Sequence, residues 1–221
     1  MQKVLIIGGH GKIAMLLAPL LAEEGREVTS VIRSADQIDA VAATGATPVV
    51  HDVASSSVAE LADLFAGYDA VIWSAGAGGG SPERTYALDR DAAIASMDAA
   101  VAADVQRYIM VSYLGARTDH GVPPENSFYA YAEAKAAADE HLRSASSLAW
   151  TILAPGSLTL DEPTGLIDPT PAAERDPAAP TSTSRGNVAL VAAAVLAHPK
   201  TIMRTIEFTD GQRSIAQVLT P

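Results

Sequence analysis

Tyr131 and Lys135 stand four residues apart in the stretch YAYAEAKAAADEHL, so a helix there brings them to one face. An ammonium beside a phenol favours phenolate and lowers the phenol pKa from its usual value of about 10, making it a better proton donor at neutral pH. Such a pair suits protonation of a carbonyl oxygen while hydride arrives at the carbon. Tyr129 lacks an equivalent partner, because position 133 is Glu. The competing explanation is a chance Y-x-x-x-K in an alanine-rich helix. Ser112 follows the apolar run YIMV and reads either as a strand-capping hydroxyl or as a cofactor contact.

Hydride needs a bound donor, and the start of the chain offers a place for one. Gly8, Gly9 and Gly11 directly follow the apolar run at 4–7, and Gly8, Gly11 and Ala14 are each separated by two residues. Strand, glycine turn and helix in that order fit a dinucleotide's pyrophosphate: glycines allow close approach, a small residue lets helix meet strand, and helix amides point at the phosphates. A Walker A loop is excluded, since Ile6 and Ile13 occupy its first-glycine and hydroxyl positions. The expected pyrophosphate neighbours are Gly8, His10, Gly11, Lys12 and Ile13. A plain strand-to-helix connection is the alternative.

The nucleotide is chosen at the end of the second apolar run, VIRSAD. An NAD-preferring site usually carries Asp or Glu there; this chain has Arg33 and Ser34. A guanidinium suits a 2′-phosphate, so NADP (as NADPH) is the expected cofactor and NAD the less favoured one. Against this, Asp36 lies close by, and Arg33 could simply begin a solvated helix.

The elements that must hold these residues show a regular alternation. Apolar runs at 4–7, 28–32, 47–50, 70–73, 108–111, 150–153 and 205–208 read as strands, with helical stretches near 12–24, 35–43, 55–65, 84–104, 127–146 and 186–197. Continuous apolar strands separated by helices predict a doubly wound, Rossmann-like α/β fold: a parallel sheet with helices on both faces. The expected organisation is one NAD(P)-binding domain over 1–221. Residues 155–185 hold six prolines and break the rhythm, so neither a regular helix nor a central strand is expected there. They read as a substrate-side segment or as a mobile excursion.

The composition narrows partners and location. With a formal charge of −11, the chain would repel nucleic acid and anionic membranes, so no nucleic-acid or membrane partner is expected. The absence of cysteine excludes disulfides, thiolate zinc sites and a cysteine nucleophile. The five histidines show no ligand spacing, so no metal site is expected. The N-terminal apolar run is too short for a signal peptide, and the helical stretch beyond the glycines is interrupted by Pro19, Glu23 and Glu24. A cytoplasmic protein is expected, monomeric or homodimeric, with a small-molecule substrate. Trp73 and Trp150 read as core.

Gly8 to Ala14, Asp52-Val53, Ser74-Ala75-Gly76, Ser112, Tyr131 to Lys135 and Ala154-Pro155-Gly156 occur in an order that resembles the atypical short-chain dehydrogenase/reductases. The nearest branch is that of the NAD(P)-binding, NmrA-like and biliverdin/flavin reductase-like proteins. The resemblance implies that Asp52 and Val53 flank the adenine and that Ser74, Ala75 and Gly76 line the cofactor cleft. It further implies that Lys135 reaches the ribose and Pro155 borders the nicotinamide. Tyr131, Lys135 and Ser112 would be the catalytic residues, although VSYLGARTD lacks the family's usual Ser or Thr a few residues beyond the strand. That departure favours hydride transfer with little acid help, as to a flavin or quinone, or no catalysis. The expected function is an NADPH-dependent oxidoreductase acting on a small carbonyl, flavin or quinone. The alternative is a non-catalytic NAD(P)H redox sensor. Nucleotide-sugar epimerases rank third, because they carry a larger C-terminal substrate domain.

Overall fold

A computed structural model describes residues 1–78, 81–144 and 147–220. The strands are β1 (Lys3–Ile7), β2 (Glu27–Ile32), β3 (Thr47–Val50), β4 (Ala70–Trp73), β5 (Arg107–Val111), β6 (Ala149–Pro155), β7 (Ser157–Thr159), β8 (Leu166–Asp168), β9 (Ser182–Ser184), β10 (Arg204–Asp210) and β11 (Arg213–Ser214). The helices are α1 (Lys12–Glu23), α2 (Ile38–Ala42), α3 (Val58–Phe65), α4 (Pro82–Thr85), α5 (Ala93–Ala102), α6 (Tyr129–Ser144), α7 (Arg185–Ala197) and α8 (Ile215–Leu219). The sheet order is β11-β8-β10-β6-β5-β4-β1-β2-β3, parallel from β10 to β3. β8 and β11 close the far edge antiparallel.

This is the expected Rossmann-like α/β architecture, and its physical cause is visible in β1 and β4. Val4 to Ile7 and Ala70 to Trp73 are wholly buried, so side chains alternating to either face both need cover. One face packs against α1 and α7 through Leu17, Leu21, Val188 and Val191. The other packs against α3 and α5 through Leu61, Phe65 and Met97. Trp73 and Trp150 are both core, as expected. Because the chain leaves β1 toward β2 and β3 and later returns on the other side as β4, a crevice opens between the loops at the carboxyl ends of β1 and β4.

Two departures have clear reasons. α1 runs uninterrupted through Pro19, whose missing N–H costs one bond while Leu17, Ala18 and Leu21 around it stay buried. The expected helix at 84–104 is three pieces: α4, a π-helical segment at Tyr86–Ala92, and α5. Such widened turns recur at functional sites.

The proline-rich stretch forms only the short strands β7, β8 and β9 and one 3₁₀ turn, in keeping with its composition. Ile167 of β8 anchors it in the core, and polar clamps hold much of the rest. The Arg175 guanidinium donates to Asp168 Oδ2 at 2.9 Å and to the Thr170 carbonyl at 2.8 Å. Glu207 accepts from the amides of Gly115 at 2.9 Å and Ala172 at 2.8 Å, tying the segment to the loop after β5. Asn187 accepts from the Gly165 amide and donates to Asp210. No helix among the described residues is long and apolar enough to cross a membrane.

Candidate functional site

The glycine turn is shaped by how closely it approaches β2 and the loop after β4. Gly8 has φ +83°, and a Cβ there would lie 2.7 Å from the backbone N and Cα of Ala75. Gly9 abuts Ser30 of β2, where a Cβ would come within 2.5 Å of the Ser30 Cβ. Gly11 is extended at φ −65° and N-caps α1. Its need for glycine is therefore space and not backbone angle, since a Cβ would sit 3.0 Å from the Gly8 carbonyl oxygen. The first-turn amides of α1 have no partner within the helix and open onto the crevice.

Two adjoining cavities occupy the crevice. The first, of about 410 Å³, is bordered by Gly8, His10, Arg33, Asp52 and Val53. The second, of about 710 Å³, is bordered by Lys12, Ile13, Ser112, Phe128, Tyr131 and Leu158. They meet at Gly11, Ser74, Ala75 and Gly76, which line both. Arg33 is exposed and has no hydrogen bond or ion pair among the described residues. Ser74 carries a buried hydroxyl without a partner at the waist between the cavities.

Three of the predicted residues lie elsewhere. Ser34 is exposed and begins the short 3₁₀ turn after β2, lining neither cavity. Pro155 is buried at the end of β6, in register with Phe208. Lys135 is 1% exposed and lies beneath the second cavity, its Nζ donating to the Val111 carbonyl at 2.8 Å and touching Met110 Sδ at 3.2 Å.

Lys135 sits between two buried carboxyls that sequence reading missed. Asp139, fully buried, accepts from Ser112 Oγ, and its Oδ1 has no partner. Asp89, 1% exposed in the π-helical segment, accepts the Ala77 amide at 3.0 Å. Burial pushes both carboxyls up and pushes the ammonium down, while their mutual attraction opposes each shift. Asp139 had a sequence signal, lying four residues after Lys135 on the same helix face. Asp89 had none, because an uninterrupted helix gives no reason to single it out.

The expected effect on Tyr131 is reversed. Its phenol is pushed up, first by burial and then by the negative charges of Asp89 and Asp139. Lys135 is engaged by main chain and carboxylates and does not promote the phenolate. Tyr131 instead belongs to an aromatic group, its ring 5.3 Å from Phe128 and 5.6 Å from Tyr113 between centroids.

A glycine turn and helix amides opening on one crevice suit a dinucleotide's pyrophosphate, and the sequence carries the corresponding match. Residues 8–199 match the family described as NAD(P)H-binding. The chain belongs to the NAD(P)H-binding family. The NAD(P)H-binding chain is 32% identical over 220 residues to the "Uncharacterized sugar epimerase YhfK" of Bacillus subtilis, covering 99% of each. Among solved structures, it is 31% identical to a Bacillus halodurans protein described as an NAD-dependent epimerase/dehydratase, with a TM-score of 0.87 and 99% of each chain covered. It is 26% identical to the oxidoreductase ylbE from Lactococcus lactis, with a TM-score of 0.83, covering 99% of this chain and 95% of that one. The resemblance to atypical short-chain dehydrogenase/reductases agrees with this NAD(P)H-binding family and with the Rossmann-like fold.

Proposed function

We propose that this protein is an NADPH-dependent oxidoreductase passing hydride to a small carbonyl, flavin or quinone acceptor. The observation that carries this reading is the two-part crevice, with a free Arg33 at one end and an aromatic-walled cavity at the other. Gly8, His10, Gly11, Lys12 and Ile13 would hold the pyrophosphate, and Asp52 and Val53 the adenine. Arg33 would take the 2′-phosphate, with Ser34 next to it but outside the cavity lining. Ser74, Ala75 and Gly76 would meet the nicotinamide half. Bound there, the cofactor supplies the hydride.

The acceptor half favours a planar, apolar partner over a sugar. Phe128, Tyr131, Leu158, Val111 and Ile13 give it a broad apolar and aromatic surface suited to a planar ring, with Thr85, Asp89, Ser112 and Ser127 as polar points on the same wall. Ser112 touches this cavity directly, Lys135 is bonded to the carbonyl of Val111 in its wall, and Pro155 is not among its lining residues. A non-catalytic NAD(P)H sensor predicts the same cofactor binding without turnover.

Replacing Arg33 with Ala is expected to weaken NADPH by about ten- to a hundred-fold, the scale of one charge-assisted contact, and to leave NADH nearly unchanged. Calorimetric titration of both nucleotides checks this. Equal affinities for NADPH and NADH in the unaltered protein would remove the NADPH assignment.

A further inference from the structure

Asp89 is a buried carboxyl for which the reductase reading supplies no task. It borders the second cavity together with Thr85, Ser112 and Tyr131. Its Oδ2 is anchored on the Ala77 amide, whereas Oδ1 has no hydrogen-bond partner among the described residues. Unlike Asp139 Oδ1, that atom is not sealed in the interior. Its position is marked by Gly76: a Cβ on that residue would stand 3.2 Å from Asp89 Oδ1. Gly76 lines both cavities, so the free oxygen lies at the waist where cofactor and acceptor would meet.

We infer that Asp89 is the proton donor of this site, acting on the acceptor at the waist of the crevice while Tyr131 forms part of the wall. The inference rests on the reductase reading. As the acceptor gains hydride and its new C–H or N–H bond, negative charge grows on its oxygen or ring nitrogen. The Asp89 O–H bond breaks, the proton moves to that atom, and the electron pair stays as a carboxylate facing Lys135. Water returns the proton after product leaves.

The surroundings suit the task. Lys135 from α6 and Arg84 from α4 favour the carboxylate, with Asp139 sharing the Lys135 charge. Desolvation is the larger influence and pushes Asp89 up from the usual carboxylate range, toward the pH at which an acid works best. The Tyr131 phenol, pushed up by the same environment, is the poorer acid of the two.

The test compares Asp89→Asn, Tyr131→Phe and unaltered protein in NADPH oxidation with menadione, FMN and an aromatic aldehyde. It is paired with carbon-13 NMR titration of the aspartate carboxyls in cofactor-free protein. Asp89→Asn is expected to lower kcat by about 10²- to 10⁴-fold with NADPH affinity kept, and Tyr131→Phe, which alters only the cavity wall, to lower kcat far less than Asp89→Asn does. Since the protonated carboxyl is the active form, kcat/KM should fall as pH rises through its pKa, and Asp89→Asn should lose that fall. The resonance missing from Asp89→Asn should titrate above the ordinary aspartate range. Wild-type turnover in Asp89→Asn, a defect confined to NADPH affinity, or a carboxyl ionised within the ordinary range each overturns the inference. If Asp89→Asn does not fold, the alkaline fall in the unaltered protein and in Tyr131→Phe decides, and its absence overturns the inference. No NADPH oxidation by unaltered protein with any of the three acceptors defeats the reductase reading itself and this inference with it.

Discussion

Gly8→Val is expected to lose dinucleotide binding and about 3 kcal/mol or more of stability. Two costs combine at this position. At φ +83° a β-branched residue is held in the left-handed region, and its Cβ would be driven to 2.7 Å from the Ala75 backbone. Backbone cannot swing aside as a side chain can, so the turn must separate from the loop after β4, opening the waist of the crevice. Gly25 is the matched control. It has φ +78° but nothing within 4 Å of a Cβ, so Gly25→Val carries the conformational cost alone, roughly 1–2 kcal/mol. Urea denaturation of both variants, with NADPH titration, separates the contributions. Equal midpoints for the two would mean that Ala75 does not press on the turn.

Lys135→Met should destabilise the protein by about 3–5 kcal/mol at neutral pH, the scale for removing one partner of a buried ionic cluster. Asp89 and Asp139 would then both be left without the cation that offsets their burial. Both carboxyls, already raised in the intact protein, would rise further. A carboxyl whose folded pKa exceeds its unfolded value contributes most below the unfolded pKa and loses that contribution as pH climbs. The deficit of Lys135→Met therefore shrinks on acidification toward the ordinary carboxylate range. Adding Asp139→Asn should recover part of the loss at neutral pH, because the two sites share one network. Urea denaturation across pH checks both statements. Neutral-pH stability equal to wild type, or a deficit that grows on acidification, would contradict the buried cluster.

The doubly wound sheet was legible because its central strands are continuous apolar runs, and that pattern has few explanations once helices separate them. The glycine turn was legible as well, although its reasons were redistributed: Gly8 carries the unusual backbone angle, and Gly11 only the close approach. Arg33 directly follows β2 and lines the first cavity, a position that its place after the second apolar run made legible, whereas its role stays a proposal. The consequence of burial could not be read. Tyr131 and Lys135 share a helix face as their spacing requires, yet the environment pushes the phenol up and turns the ammonium toward Val111 and two carboxyls. Asp89 reaches the crevice through a π-helical segment that no residue pattern announces. Phe128 and Leu158 meet across the second cavity from segments 30 residues apart, a proximity set by tertiary packing alone.

Tracing the hydride itself gives the most direct test of a reductase. NADPH carrying deuterium at the transferable position is incubated with the protein and an aromatic aldehyde, with menadione and FMN as parallel acceptors. NADPH consumption and deuterium in the alcohol product are then measured. The expected result is acceptor-dependent oxidation slowed by the label, with deuterium recovered on the former carbonyl carbon when the aldehyde is reduced. NADPH that binds tightly but is consumed with none of the three acceptors would contradict the reductase reading and leave a nucleotide-binding protein that does not transfer hydride.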